Sequence, residues 1–275
     1  MKIVDVDVIA FRVPRQAFRN GELLPEQTVV QTLTKIVTDE GAEGYYLGGR
    51  GHGDQDGLPA GDRAALRTRL RSMLVGQDPF DREKFWHWMW VSKTPENILS
   101  TIDMALWDLQ ARAFGVPIHK LLGGCRTKVK AYASTFPNMG SPQEYAAHAL
   151  ECKRQGYTAY KIHPYYFWDP ETQQPDPGRP SHTDWDIECC RAVRAAVGRK
   201  IALRFDANQG YHVAESMRFI EQTRSAKLEL VEQPTPRDAL GELGIVTRRA
   251  SLPIMADESL MGLRDAFRLA RGGGL

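Results

Sequence analysis

The segment Ile201-Ala-Leu-Arg-Phe-Asp206-Ala-Asn208-Gln-Gly210 has the pattern of a buried β-strand that ends in a carboxylate. A turn and an amphipathic stretch follow it, and the stretch predicts a helix over His212 to Arg224. Two later apolar runs repeat this design, from Leu228 to Glu232 and from Leu252 to Asp257. The terminal carboxylates lie about 25 residues apart, the length of one strand, one helix and two loops. We therefore expect three parallel strands whose carboxyl ends meet on one rim, as in a (β/α)8 barrel.

Asp206, Glu232 and Asp257 end these runs and are the candidate metal ligands. Carboxylates that converge on one rim repel each other unless a cation lies between them. An all-oxygen ligand set favours a hard ion, so the pattern predicts Mg²⁺, with Mn²⁺ as a substitute. The alternative is that each acid is a solvated loop residue or caps a helix, since Asp and Glu favour helix N-termini. The matched spacing of the three favours the metal site.

Four segments carry a resemblance to a known family. They are Asp206-Ala-Asn-Gln, Val231-Glu-Gln-Pro, Met255-Ala-Asp-Glu-Ser and the stretch from Ile102 to Gly124. In this order they are similar to the metal-ligand segments, and to the signature before the barrel, of the enolase superfamily in its mandelate racemase/muconate lactonizing enzyme branch. The resemblance runs along essentially the whole chain.

This resemblance implies an α/β protein with two domains. Residues 1–127 would form an N-terminal α+β capping domain that carries the substrate-specificity loops. Residues 128–275 would form a partial TIM-type (β/α)8 barrel that carries the metal site. Only about five of the eight βα units are expected within this length, because a whole barrel usually needs ~250 residues.

The composition is that of an ordinary globular protein. The net charge is +2, with 25% charged and 42% hydrophobic residues. With no basic stripe, nucleic acid is not an expected partner. No apolar run approaches ~18 residues, so no membrane span is expected. Met1-Lys2 leads into an alternating strand pattern and not into a signal peptide, which indicates a cytoplasmic protein. The cysteines form no C-x-x-C pair and are expected to be reduced.

The capping domain is predicted from alternating strands and spaced helices. An antiparallel meander is expected over Lys2–Val13, Thr28–Asp39 and Gly44–Leu47. Helices are expected over Gly61–Leu74 and Asn97–Phe114, the second of them ended by Gly115. The aromatic stretch Asp81–Trp90 between them is expected to fill the core. Under the resemblance, the loops Arg15–Leu24 and Gly48–Asp54 would close over the barrel mouth and help to select the substrate.

The barrel is predicted to begin near Val129. Its first units are a strand over Lys130–Thr135, a helix over Ser141–Gln155, a strand over Tyr157–His163 and a helix over Asp184–Val197. Ser141 is the expected N-cap of the first helix, with Pro142 at the first helical position. The loop from Pro164 to about Thr183 is long and rich in aromatic residues and proline, which indicates a role at the pocket mouth.

Lys161 and His163 form a second candidate pair at the end of a predicted strand. Residues two apart in a strand point to the same side, so both would face the barrel interior. The resemblance implies that Lys161 contacts the substrate carboxylate, and that His163 stands where the family has a second lysine as acid/base. Imidazole suits that role, with an unperturbed pKa of ~6.5. The alternative is a histidine that is satisfied within the barrel.

Three neighbours of the proposed ligands have further expected roles. Asn208 lies two residues beyond Asp206 and could bind the substrate or the base, or could cap the following helix. Gln233 and Glu258 adjoin proposed ligands and are expected to tune them through hydrogen bonds.

Together these residues predict Mg²⁺-dependent abstraction of the proton α to a substrate carboxylate, through an enediolate. A base takes the proton, while the ion and an ammonium neutralise the growing charge. A small carboxylate or acid sugar is the expected substrate, and an acid-sugar dehydratase or a racemase is favoured over a cycloisomerase. Family habit suggests a homo-oligomer at full length.

The 275 residues are expected to hold too few strands for a whole barrel, and this affects the expected activity. The opposing acid/base, which separates racemases, cycloisomerases and dehydratases, would lie on strands six to eight, beyond residue 275. We therefore expect the 275 residues to be a C-terminally truncated form that is inactive or poorly folded. The competing hypothesis from another class is a non-catalytic remnant that keeps the fold for binding or assembly.

Overall fold

The computed structural model describes residues 1–16, 18–19, 22–23, 25–49, 57–137, 139–163 and 182–273. The chain divides into two compact units. The first unit comprises Met1–Arg15 and Glu26–Val129, and the second comprises Gln16–Pro25 and Lys130–Leu275. Most of the two predicted specificity loops, and nearly all of the aromatic loop after residue 163, lie outside the described residues.

The elements up to residue 129 are strands followed by helices. The strands are β1 (Ile3–Arg15), β2 (Phe18–Arg19), β3 (Glu22–Leu23), β4 (Gln27–Thr38) and β5 (Glu43–Leu47). The helices are α1 (Ala60–Ala65), α2 (Arg71–Leu74), α3 (Arg82–Val91), α4 (Glu96–Phe114) and α5 (Ile118–Leu121), with a π-helical turn over Leu66–Leu70 between α1 and α2.

The first unit contains the predicted antiparallel sheet, in the order β1-β4-β5. Val6 pairs with Ile36 in the ladder of β1 and β4, and both are buried. Their side chains belong to one core with the apolar face of α4, which includes Ile102, Leu106 and Leu109. Gly115 ends α4 in the left-handed conformation, with φ 65°, as the sequence predicts.

Gly44 shows how closely β5 lies on α4. A Cβ atom at this position would be 2.2 Å from the carbonyl oxygen of Ala105 and 2.5 Å from Cβ of Leu109. Both are positions on the helix, and neither atom can move aside as a flexible side chain could. Glycine is therefore required for this close approach of strand and helix.

The second unit alternates strands and helices. The strands are β6 (Ala133–Ser134), β7 (Ala159–Ile162), β8 (Ala202–Asp206), β9 (Leu228–Glu232) and β10 (Ile254–Met255). The helices are α6 (Pro142–Arg154), α7 (His182–Val197), α8 (Val213–Gln222), α9 (Leu240–Arg249) and α10 (Leu263–Gly272), with a 3₁₀ turn over Arg224–Ala226.

The sheet of this unit is parallel, in the order β10-β9-β8-β7-β6. Each strand therefore lies beside its predecessor in the chain, which is the arrangement of a (β/α) barrel wall. The predicted fold class, a capping domain with an antiparallel sheet followed by the five-strand part of a parallel barrel, is confirmed.

The two sides of the parallel sheet differ in chemistry. On one side Tyr160, Phe205 and Val231 pack into the core beneath the helices. The residues that alternate with them include Lys161 and Arg204, which lie on the other side. This alternation along each strand separates an apolar packing face from a charged one.

The predicted start of α6 is confirmed. Ser141 is its N-cap, and its hydroxyl accepts a hydrogen bond from the Glu144 amide while the Glu144 carboxylate accepts one from the Ser141 amide. This reciprocal pair is a capping box, and Pro142 takes the first helical position.

Two predicted strands are shorter than the apolar runs suggest. β6 covers only Ala133–Ser134, which pair with Tyr160 and Lys161 of β7. β10 covers only Ile254–Met255, which pair with Val231 and Glu232 at the end of β9. Asp257 consequently lies two residues beyond the strand instead of at its last position.

Candidate active site

The carboxyl ends of β8 and β9 bring two carboxylates together. Asp206 is the last residue of β8 and Glu232 the last of β9, and the two are paired in the parallel ladder. Both are buried, with 4% and 3% of their surface exposed. Sequence spacing predicted this pair of strand-end acids.

Lys161 lies between these carboxylates. It extends from β7, and its Nζ donates hydrogen bonds to Oδ2 of Asp206 at 2.9 Å and to Oε2 of Glu232 at 2.7 Å. Burial alone would lower the pKa of the lysine, but the hydrogen bonds to Glu232 and Asp206 outweigh it and raise the pKa. Lys161 is therefore a buried, fixed positive charge.

His163 joins the same cluster from the residue after β7. Its Nε2 is 3.2 Å from Oδ2 of Asp206, and its Nδ1 is 3.4 Å from Oγ of Ser134. The side chain is 16% exposed, so it is less enclosed than Lys161 and the two carboxylates. The expectation that Lys161 and His163 point to the same side agrees with their shared contact to Asp206.

The pKa values of Asp206 and Glu232 are shifted in opposite directions. Burial raises the pKa of Asp206, but hydrogen bonds from His163 and Lys161 lower it below its usual value. The pKa of Glu232 is raised, mainly by burial and further by the charges of Asp206 and Asp257, against the hydrogen bond from Lys161. Hydrogen bonds therefore outweigh burial at Asp206, whereas burial outweighs the hydrogen bond from Lys161 at Glu232.

Asn208 lies in the turn after β8. Its backbone amide donates to Oδ1 of Asp206 at 2.9 Å, and its φ of 45° is in the left-handed region. The alternative that it caps the next helix is wrong, because the N-cap of α8 is His212. The turn therefore brings Asn208 to the carboxylate cluster and fixes Asp206 through its main chain.

Asp257 contributes the third carboxylate from the loop after β10. Its backbone amide donates to Oε1 of Gln233 at 2.9 Å. Its charge acts on Glu232, as the raised pKa of that residue reflects. Asp257 is only partly buried, so it lies closer to the surface than Asp206 and Glu232 do.

The donor set fits a hard divalent cation in its chemistry. Across the described ranges, no three His, Cys, Asp or Glu side chains are grouped as ligands of one ion, and Asp206 and Glu232 instead share the Lys161 ammonium. These two acids and Asp257 would supply only oxygen ligands, the type that Mg²⁺ prefers. Such a cation would offset the mutual repulsion of Asp206, Glu232 and Asp257.

Sequence reasoning missed two side chains that hold His163. The Oγ1 of Thr135 accepts a hydrogen bond from the His163 amide at 2.8 Å, and the hydroxyl of Tyr145 donates to its carbonyl at 3.2 Å. Thr135 follows β6 and Tyr145 lies on α6, so both contacts bridge distant positions. No local pattern distinguishes these residues from others of their type.

A cavity of about 240 Å³ lies at the opposite ends of the strands. Its lining includes Tyr132, Arg204 and Glu229, which lie near the starts of their strands. The Tyr132 ring lies between two cations, 5.6 Å from Nζ of Lys161 and 4.6 Å from the guanidinium carbon of Arg204. The cavity lining thus does not include the strand-end carboxylates, although the Tyr132 ring that borders it also lies near Lys161.

Comparisons with known proteins agree with this architecture. Residues 144–275 match the family model described as "Enolase C-terminal domain-like". Residues 18–123 match the model of the "Mandelate racemase / muconate lactonizing enzyme, N-terminal domain". The L-Ala-D/L-Glu epimerase of Bacillus subtilis is 30% identical, over 98% of this chain and 70% of that protein.

Solved structures agree over the whole chain. The dipeptide epimerase from Enterococcus faecalis V583, complexed with Mg and the dipeptide L-Leu-L-Tyr, is 28% identical with a TM-score of 0.82, over 100% of this chain and 73% of that one. The D-glucarate dehydratase from Agrobacterium tumefaciens, complexed with magnesium, is 26% identical with a TM-score of 0.82, over 100% and 72%. Racemases and cycloisomerases are also among the relatives. No helix within the described ranges has the length and apolar character needed to cross a bilayer.

Proposed function

Because the chain belongs to the mandelate racemase/muconate lactonizing enzyme branch of the enolase superfamily, we propose that it serves Mg²⁺-dependent abstraction of the proton α to a substrate carboxylate. Asp206, Glu232 and Asp257 are the proposed ligands of the ion. A bound Mg²⁺ would supply positive charge to the carboxylate oxygens as the proton leaves. The observation that carries the proposal is the meeting of Lys161 and His163 on Asp206.

Lys161 and His163 have different parts in this proposal. Lys161 is buried and bonded to two carboxylates, so it serves as a fixed cation beside the developing enediolate. His163 is less buried than Lys161 and is the proposed base that takes the α-proton. Asn208, held in the turn after Asp206, is the proposed hydrogen-bond donor to the substrate.

Among the reactions of the family, we propose epimerisation or racemisation first. The dipeptide epimerases and the N-succinyl-L-Arg/Lys racemase among the relatives align over nearly the whole chain. The cycloisomerases align over a smaller part of it. Dehydration of an acid sugar stands second, supported by the likeness to D-glucarate dehydratase. The proposed substrates are accordingly dipeptides, N-acylated amino acids and sugar acids.

Exchange of the α-proton in D₂O tests the proposal directly. The chain is incubated with Mg²⁺ and a panel of dipeptides, N-succinyl amino acids and sugar acids, and deuterium at the α-carbon is followed by NMR. This step needs only one base on one side of the substrate, so it does not require a complete reaction. Exchange with at least one of these carboxylates is the expected result.

Two variants make the experiment specific. His163→Asn should abolish exchange because the proposed base is removed. His87→Asn should leave it unchanged, because His87 is exposed on α3 in the first unit. Absence of exchange with every substrate in the panel, while Mg²⁺ still binds, would favour a non-catalytic binding protein instead.

A further inference from the structure

The side-chain amide of Gln233 is fully engaged in hydrogen bonds although the residue is completely buried. Its Oε1 accepts from the amides of Asp257 at 2.9 Å and Ser259 at 3.2 Å. Its Nε2 donates to the carbonyl of Thr235 at 2.9 Å and to Oγ of Ser259 at 2.8 Å. An amide group offers two donors and two acceptor sites, so all of its capacity is used.

The main chain of Gln233 connects the same region to its neighbours. Its amide donates to the carbonyl of Met255 at 2.8 Å, and its carbonyl accepts from the amide of Gln209 at 2.8 Å. Its φ is 33°, a left-handed value that is uncommon for a residue with a side chain. A single residue thus ties together the loops that follow β8, β9 and β10.

These are the loops that follow the three proposed metal ligands. Glu232 is the immediate neighbour of Gln233, and Asp257 is held through its own backbone amide. Ser259 extends the connection, because its hydroxyl donates to the carbonyl of Arg237 at 2.9 Å. The separation between the carboxylates of Glu232 and Asp257 therefore depends on the Gln233 side chain.

Asp257 needs such support more than the other two acids do. Asp206 and Glu232 are the last residues of paired strands, and the ladder fixes their main chain. Asp257 lies beyond the short strand β10, in a loop. A carboxylate on an unsupported loop would have to be ordered when a cation binds, and that cost would weaken the site.

We propose that Gln233 is a positioning residue that sets the third carboxylate, Asp257, for divalent-cation binding, and so determines the affinity of the site. The inference rests on the proposed function, since it takes the three acids as metal ligands. Gln233 does not contact the ion or the substrate in this proposal. Its effect passes through its own hydrogen bonds, foremost those from the amides of Asp257 and Ser259.

The test compares Gln233→Met with wild-type chain by calorimetric titration of MgCl₂. Methionine keeps the length of the side chain but removes every hydrogen bond of the amide group. We expect a 10–100-fold loss of Mg²⁺ affinity, the range typical of residues that orient metal ligands. Hydrogen exchange of the Asp257 and Ser259 amides should be faster in the variant, without Mg²⁺ present.

Gln110→Met is the matched control. Gln110 is also a buried amide, and its Nε2 donates to the carbonyl of Pro79 in the first unit. Gln110→Met should lower the stability of the chain, because it removes a buried hydrogen bond. Its Mg²⁺ affinity should stay at the wild-type value. The continuous-wave EPR spectrum of bound Mn²⁺ reports the ligand arrangement around the ion and does not depend on the overall stability of the chain. Of the two variants, only Gln233→Met should change this spectrum.

Ser259→Ala keeps the inference testable if Gln233→Met fails to fold. It removes one of the four contacts of the amide, so a smaller loss of affinity in the same direction is expected. Unchanged Mg²⁺ affinity in a folded Gln233 or Ser259 variant, with wild-type binding intact, overturns the positioning role alone. Failure of the wild-type chain to bind Mg²⁺ overturns the proposed metal site, and the positioning role with it.

Discussion

The Nε2 atom of His163 lies 3.2 Å from Oδ2 of Asp206, a carboxylate oxygen at the end of the neighbouring strand. The same oxygen accepts a hydrogen bond from Lys161. A proposed base and a proposed metal ligand are therefore in direct contact. The orientation of the His163 ring depends on Asp206, and its main chain depends on Thr135 and Tyr145.

Thr135→Val should slow α-proton exchange without weakening Mg²⁺ binding. The change removes the hydroxyl oxygen that accepts a hydrogen bond from the His163 amide, while valine keeps the shape of the side chain. A misplacement of about 1 Å can cost about 10²-fold in rate. Loss of one hydrogen bond should move His163 by less than this, so we expect a loss of about tenfold. NMR exchange rates at saturating substrate provide the measurement. Equal rates in the variant would mean that Thr135 does not position the base.

Lys161→Met should strongly destabilise the chain when Mg²⁺ is absent. It leaves Asp206 and Glu232 buried and facing each other without a cation between them. Removing one partner of a buried ion pair costs about 3–5 kcal/mol. Urea unfolding with and without Mg²⁺ measures the effect, and Mg²⁺ should restore more stability to the variant than to the wild-type chain.

Lys35→Met is the control for that experiment. Lys35 pairs with Glu43 at 2.7 Å, but both side chains are about one third exposed. Loss of such a surface pair should change the stability far less than loss of a buried one, because solvent screens exposed charges. A Lys161 variant no less stable than the Lys35 variant would show that the ammonium is not needed to keep the two carboxylates together.

Glu232→Gln should abolish Mg²⁺ binding, since it removes a charged ligand at the centre of the cluster. Glu229→Gln, three residues earlier on β9, is the matched control. Its side chain is 49% exposed and pairs with Arg204 near the opposite ends of the strands. Calorimetric titration of both variants distinguishes a local ligand effect from a general change of charge. Binding that survives in Glu232→Gln would contradict the proposed ligand set.

Gly44→Ala should destabilise the first unit. The added methyl group would press on the backbone of α4, at the distances given above for Ala105 and Leu109. Overpacking of this kind costs about 1–3 kcal/mol. Gly61→Ala, in α1, has open space around the new atom and should be neutral or slightly stabilising. Thermal unfolding that gave the two variants the same midpoint would argue against the tight contact.

One of the four cysteines should react rapidly with a thiol reagent in the folded chain. Cys125 is exposed, whereas Cys152, Cys189 and Cys190 are buried. Burial raises the pKa of these three thiols, which suppresses the reactive thiolate. A colorimetric thiol titration should count one group in buffer and four in denaturant, and Cys125→Ser should reduce the first count to none. Fast reaction of two or more thiols in buffer would mean that the core of the second unit opens readily.

The parts of the site that could be predicted from sequence are those fixed by strand periodicity. Asp206 and Glu232 end apolar runs, and Lys161 and His163 are two residues apart, so their meeting on one side follows from the geometry of parallel strands. The N-cap at Ser141 could be predicted equally well, because its signal, a serine followed by proline, lies within one helical turn.

The parts that could not be predicted depend on contacts between distant segments. The amide of Gln233 reaches Asp257 and Ser259 in the next βα unit, and nothing within its own neighbourhood in the sequence indicates four hydrogen bonds. The end of β10 at Met255 depends on its pairing with β9. The position of Asp257 beyond the strand could therefore not be predicted from the sequence either. Metal-ligand roles for all three acids stay predictions.

The order of the parallel sheet has a consequence for how the site is built during synthesis. Each strand pairs with the one made just before it, so the wall can grow in the direction of translation. Lys161 leaves the ribosome first, and its two acidic partners follow 45 and 71 residues later. A nascent chain that has reached Asp206 but not Glu232 already carries a matched pair of opposite charges. The ammonium can therefore pair with Asp206 before Glu232 is made, so the first buried carboxylate is not left without a cation while the rest of the site is assembled.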